Sequence, residues 1–162
     1  MQDINPEHIR VDPYLSPLFV EKGITADILR LDLLHPIVSG NKWFKLRYYI
    51  EQAQEQNKKS LVTFGGAWSN HIHATAAAGK LAGLKTIGII RGEAPAGLST
   101  TLLQAAEMGM QLHFVSRAAY RQKKMPDQID LSEALLIPEG GYSLTGARGA
   151  ATIMDLINPD DY

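Results

Sequence analysis

The sequence contains no cysteine, which excludes disulfide bonds, thiolate metal ligands and cysteine redox chemistry. No apolar run approaches the length of a membrane span. The opening residues, Met1-Gln-Asp-Ile-Asn-Pro6, lack the basic start and apolar stretch of a signal peptide. A cytoplasmic protein is the expectation. An excess of either charge is also missing. Sixteen basic and 17 acidic residues leave a formal net charge of -1, so nothing electrostatic points to nucleic acid or an anionic membrane. Internal repeats and low-complexity tracts are absent as well.

What remains is an ordinary globular composition. The 162 residues are 45% hydrophobic and 20% charged, enough for one domain or slightly more. From residue 60 onward, short apolar runs alternate with longer helical patterns. Leu61 to Phe64, Thr86 to Ile90, Leu112 to Val115 and Leu135 to Ile137 read as buried strands. Between them, helices are expected from Ser69 to Gly83, Thr101 to Met108 and Arg117 to about Lys124, with a last one from Thr145 to Leu156. This order predicts βαβ units and an open parallel sheet of about four strands covered by helices.

The first 59 residues follow another pattern. Pro13 to Pro17 reads as loop, Asp27 to Asp32 alternates like a strand, and Pro36 to Asn41 is a turn. Lys42 to about Gln56 has helical periodicity, with Phe44, Leu46, Tyr49, Ile50 and Ala53 as candidate inward positions. At the other end, Asn158-Pro-Asp-Asp-Tyr162 has the character of a turn leading into a further strand.

Two places carry chemistry. Gly65-Gly66 ends a strand, and Ser69-Asn70-His71 opens a helix, which brings unpaired N–H groups to the sheet's carboxyl edge. Such an end suits a phosphate or a carboxylate. Ser69 or Asn70 equally suits a plain N-cap. Lys42 follows a Ser-Gly-Asn turn at a helix start, where the positive end of the helix dipole disfavours an ammonium ion. A lowered pKa is what a carbonyl-attacking lysine needs. A solvated lysine is the ordinary alternative. His71 and His73 form a His-x-His, but a two-residue step on a helix points them to nearly opposite faces, which disfavours a shared metal.

Taken together, Ser39-Gly-Asn-Lys-Trp-Phe-Lys-Leu46 and Gly65-Gly-Ala-Trp-Ser-Asn-His71 resemble the 1-aminocyclopropane-1-carboxylate deaminase and D-cysteine desulfhydrase family. The stretch Ile137-Pro-Glu-Gly-Gly-Tyr-Ser-Leu-Thr-Gly-Ala-Arg-Gly149 is similar to that family's segment at the matching place. The resemblance runs from about Leu31 to Ile157. It implies a tryptophan-synthase β-type fold and pyridoxal 5'-phosphate as cofactor. Lys42 would hold the cofactor aldehyde and move a proton, and Asn70 would hydrogen-bond the ring's phenolic oxygen. Ser69, Asn70 and His71 would bind the substrate, with Ser69 assisting proton transfer. The implied reaction releases ammonia and a 2-oxo acid from a small amino acid, either 1-aminocyclopropane-1-carboxylate or D-cysteine.

By the same resemblance, residues 1–59 would be an N-terminal arm of a larger domain and residues 60–145 the small α/β domain. Residues 146–162 would be a return helix. The family's glycine-threonine phosphate loop, the group facing its pyridine nitrogen and its substrate tyrosines have no counterpart in residues 1–162. A shortened form of such an enzyme, exposing apolar surface and forming a homo-oligomer, is therefore expected. Two other readings stay open. One is a related eliminating enzyme acting on another amino acid such as D-serine, and the other is a non-catalytic α/β module binding a small anion or a partner.

Overall fold

The computed structural model describes residues 4–158, so the turn expected from Asn158 lies, beyond its first residue, outside the described residues. Strands β1 (Val11–Pro13) and β2 (Asp27–Leu29) form a small antiparallel pair, with helix α1 (Pro17–Glu21) between them. Helix α2 spans Asn41–Glu55. Then follow β3 (Ser60–Gly65), α3 (Asn70–Leu81), β4 (Lys85–Arg91), α4 (Thr100–Glu107), β5 (Met110–Val115), α5 (Arg117–Arg121), β6 (Ala134–Ile137) and α6 (Leu144–Ala151). Strands β3 to β6 make one parallel sheet in the order β5-β4-β3-β6. The expected α/β architecture is the one observed.

Alternation along β3 divides the core into two faces. Leu61 packs with Leu46, Tyr49, Ile50 and Ala53 of α2 and with Ala74, Ala77 and Ala78 of α3. Val62 and Phe64 face the other way, toward Tyr120 and Ile129. Leu102 and Ala105 of α4 join Ile72 and Ala76 of α3 over Ile90. Thus α2, α3 and α4 cover one face, and α5 with the segment after it covers the other. All five inward positions expected on α2 are buried.

Helix α6 lies against α2 with almost no room between the backbones. A Cβ built on Gly149 would sit 1.9 Å from the Phe44 carbonyl oxygen, and one on Gly146 would sit 1.9 Å from that of Gly141. Tyr49 of α2 and Ser143, the N-cap of α6, share a hydroxyl–hydroxyl hydrogen bond.

Element ends differ from expectation for local reasons. Helix α5 stops at Arg121, because Lys123 takes φ 53° and Pro126 follows. The last helix ends at Ala151, where Thr152 Oγ1 donates to the Gly149 carbonyl at 2.7 Å; a separate turn covers Met154–Leu156. The strand expected over Asp27 to Asp32 ends at Leu29, and Arg30 then forks between Asp12 and Asp32, each at 2.8 Å.

Candidate active site

In the sheet order, β4 lies on one side of β3 and β6 on the other, so the chain changes direction at the carboxyl end of β3. Open α/β sheets bind ligands outside such a switch point. The segment Gly65 to Asn70 leaves the sheet here, and the segment Pro138 to Ser143 leaves beside it.

Lys42 is the second residue of α2. The N-cap, Gly40, has φ 61° and ψ -149°, a conformation essentially confined to glycine, and its N–H donates to the Leu31 carbonyl at 3.0 Å. Lys42 is half-buried, and its Nζ donates to Asn41 Oδ1 at 3.1 Å. Its pKa lies below the usual lysine value, chiefly because burial penalises the ammonium and secondly because Lys45 is close. Burial is thus the main cause, and the positive end of the α2 dipole acts in the same direction.

Helix α3 starts on the far wall. Ser69 is its N-cap, and the Oγ accepts the Ile72 N–H at 3.3 Å. The Asn70 and His71 amides, the first two of the helix, have no acceptor among the described residues. Lys42 and Asn70 line one polar cavity of about 370 Å³, together with Ser39, Gly40, Asn41 and His73. Ser69 stands beside this cavity as a cap and does not line it.

His71 points elsewhere. The side chain is 3% exposed, and Nε2 lies 2.9 Å from Thr63 Oγ1. That hydroxyl donates to the Ile137 carbonyl at 2.9 Å, so its hydrogen is already used and it must accept from His71 Nε2–H. His71 is then the neutral Nε2–H tautomer, and Nδ1 is buried without a partner. Burial, with the charges of Lys42 and Lys45 adding to it, lowers the His71 pKa to about 4. The His71–Thr63–Ile137 chain thus ties the start of α3 to the ends of β3 and β6.

His73, which the sequence offers only as half of a His-x-His, also lines the cavity. Asn70, His73 and Ala74 all line the cavity at the i, i+3, i+4 spacing of one helix face. That periodicity was the available signal. Burial lowers the His73 pKa, which keeps the imidazole neutral and able to accept a proton.

No protein-family model matches the chain. A proposed 1-aminocyclopropane-1-carboxylate deaminase of Thermotoga maritima is 32% identical over 145 residues, covering 84% of this chain and 46% of that protein. The mitochondrial bifunctional D-cysteine desulfhydrase/1-aminocyclopropane-1-carboxylate deaminase of Arabidopsis thaliana is 29% identical over 159 residues, covering 86% and 40%. The crystal structure of a homologue of 1-aminocyclopropane-1-carboxylate deaminase superposes with a TM-score of 0.72 at 24% identity. It covers 97% of this chain and 50% of its own. The chain spans somewhat under half the length of the curated relatives it matches.

Proposed function

The chain is homologous over most of its length to the 1-aminocyclopropane-1-carboxylate deaminase and D-cysteine desulfhydrase family, and from that premise we propose that it supplies the lysine side of a pyridoxal-phosphate site acting on a small amino acid. The observation that carries this reading is the shared cavity of Lys42 and Asn70, in which the lysine amine is held below its ordinary pKa.

The residues present fit one end of the cofactor. An aldehyde needs an unprotonated amine, and burial of Lys42 favours that form. A phenolic oxygen needs a neutral donor, which the Asn70 amide provides. The cavity's volume falls at the lower end of the range for small-molecule sites. When bound, pyridoxal phosphate supplies an aldehyde for the substrate amine and an electron-withdrawing ring that stabilises negative charge beside it.

The chain's own residues would do the rest. The open Asn70 and His71 amides, reinforced by the α3 dipole, suit a substrate carboxylate. Ser69 fixes the direction of those amides by capping the helix. Lys42 Nζ is placed to move a proton at the substrate: from the α-carbon of D-cysteine, or at a ring carbon of 1-aminocyclopropane-1-carboxylate, whose α-carbon carries no hydrogen. His71 holds the turn through Thr63 and does not itself meet the cavity. On this reading the products are ammonia and a 2-oxo acid from 1-aminocyclopropane-1-carboxylate, with hydrogen sulfide released as well if the substrate is D-cysteine.

The test is chemical labelling. The protein is incubated with pyridoxal phosphate, reduced with borohydride, digested and mapped. A single dominant adduct on Lys42 is expected. Equal labelling of several lysines would sink the reading and leave a non-catalytic anion-binding module as the better description.

A further inference from the structure

A second and larger cavity, of about 780 Å³, opens on the other side of the same glycine turn. Gly66 and Trp68 form one wall, and Arg91 at the end of β4 with Arg117, Arg121 and Lys123 of the α5 region form the rest. Such a concentration of positive charge is not expected of a chain with a net charge of -1. Lys123 is neutralised by an ion pair with Glu139. Arg91, Arg117 and Arg121 make no ion pair among the described residues, although Arg91 lies within the field of the Glu139 carboxylate that Lys123 holds.

Three unpaired guanidinium groups around one concavity repel each other, and solvent relieves this only in part. A single carboxylate or orthophosphate would balance one or two of these charges. A diphosphate brings two to three, with oxygens spaced for several forked hydrogen bonds, the geometry that arginine recognises best. Gly66 contributes an open floor: a Cβ there would come within 3.8 Å of the Arg91 guanidinium. Trp68, 72% exposed, stands at the rim where a planar group attached to the phosphates could stack.

We propose that this crevice binds a small organic diphosphate, such as a nucleoside diphosphate, with its phosphates held by Arg91, Arg117 and Arg121. The site needs neither Lys42 nor a bound cofactor, so it stands or falls independently of the proposed deaminase reading. A ligand there would press on Gly66 to Trp68, and the same turn leads directly into Asn70 of the other cavity. Ser99 also anchors this turn, its hydroxyl donating to the Ala67 carbonyl.

The experiment is equilibrium binding of the full chain to pyrophosphate, ADP and orthophosphate at low salt, followed by calorimetry and tryptophan fluorescence. Pyrophosphate and ADP should bind at least about tenfold more tightly than orthophosphate, with affinity falling as salt rises. The R117Q/R121Q double variant should lose at least about tenfold in affinity for both. Both side chains are exposed, so the variant should keep the parent's circular dichroism and its Lys42 labelling. No binding at millimolar ligand overturns the proposal. So does equal affinity for orthophosphate, or an undiminished affinity in the double variant.

Discussion

Replacing Gly149 by alanine sets two physical effects against each other. In an isolated helix the change would stabilise α6 by about 1 kcal/mol, since alanine is the better helix former. Here the new methyl would lie 1.9 Å from the Phe44 carbonyl oxygen, while real Cβ contacts essentially never fall below 3.0 Å. The two helices must therefore part by at least about an ångström. The obstacle is backbone, which cannot swing aside as a flexible side chain would. Overpacking of this kind costs about 1–3 kcal/mol and occasionally more. Separation also loosens the Tyr49–Ser143 hydrogen bond, worth about 1 kcal/mol. The clash wins, and a net loss of about 2 kcal/mol is expected. For a chain of this size that lowers the midpoint by roughly 4–8 °C in thermal unfolding. Gly97→Ala, where a Cβ meets nothing within 4 Å, serves as the control and should change little. Because Phe44 lies two residues after Lys42, borohydride labelling of Lys42 should also weaken in the Gly149 variant. A variant as stable as the parent, or more stable, would refute the packing of α6 on α2 described above.

Two further perturbations act on the buried chain behind the cavity. Thr63→Val keeps the shape but strands both the His71 Nε2–H and the Ile137 carbonyl, so a loss of roughly 2–4 kcal/mol is expected in urea unfolding; Thr63→Ser should restore most of it. His71 predicts a pH dependence. The unfolded chain protonates this imidazole near 6.5 and the folded one only near about 4, so the unfolded state binds more protons between those values. The stability linked to His71 is complete above pH 6.5 and falls as pH drops toward 4, by roughly 3 kcal/mol in all. Unfolding measured across that window should be flatter for His71→Gln, and an unchanged slope would count against the buried neutral imidazole.

Most of the sheet was legible because its strands are short apolar runs bounded by glycine, and its helices begin at serines that cap them. Ser69, Ser99, Ser116 and Ser143 each accept a backbone N–H in the first turn. Helix α2 was legible from periodicity alone. The β1–β2 pair was only half legible, since Val11–Pro13 contains a proline and is too short to alternate. The pairing of Lys42 with Asn70 was carried by resemblance, because no local pattern says which helix faces which turn. His71 shows the limit most clearly. A histidine after an asparagine at a helix start reads as a ligand-facing group, yet the helix turns its ring into the sheet, where Thr63 receives it. The arginines of the second crevice were unreadable as a group, being brought together from β4 and α5 only by the sheet.

The strand order has a kinetic consequence. Strands β3 and β4 each pair with their successor through a single βα crossover, but β6 must return to β3 across 74 residues of sequence. The Tyr49–Ser143 tie closes a span of 94 residues. Loop-closure entropy grows with such separations, so the β3–β4–β5 half gathers its contacts first. The contacts that clamp α6 onto the Lys42 helix should therefore be completed last. The helix that carries Lys42 is thus secured on its α6 side only after the β3–β4–β5 half has formed.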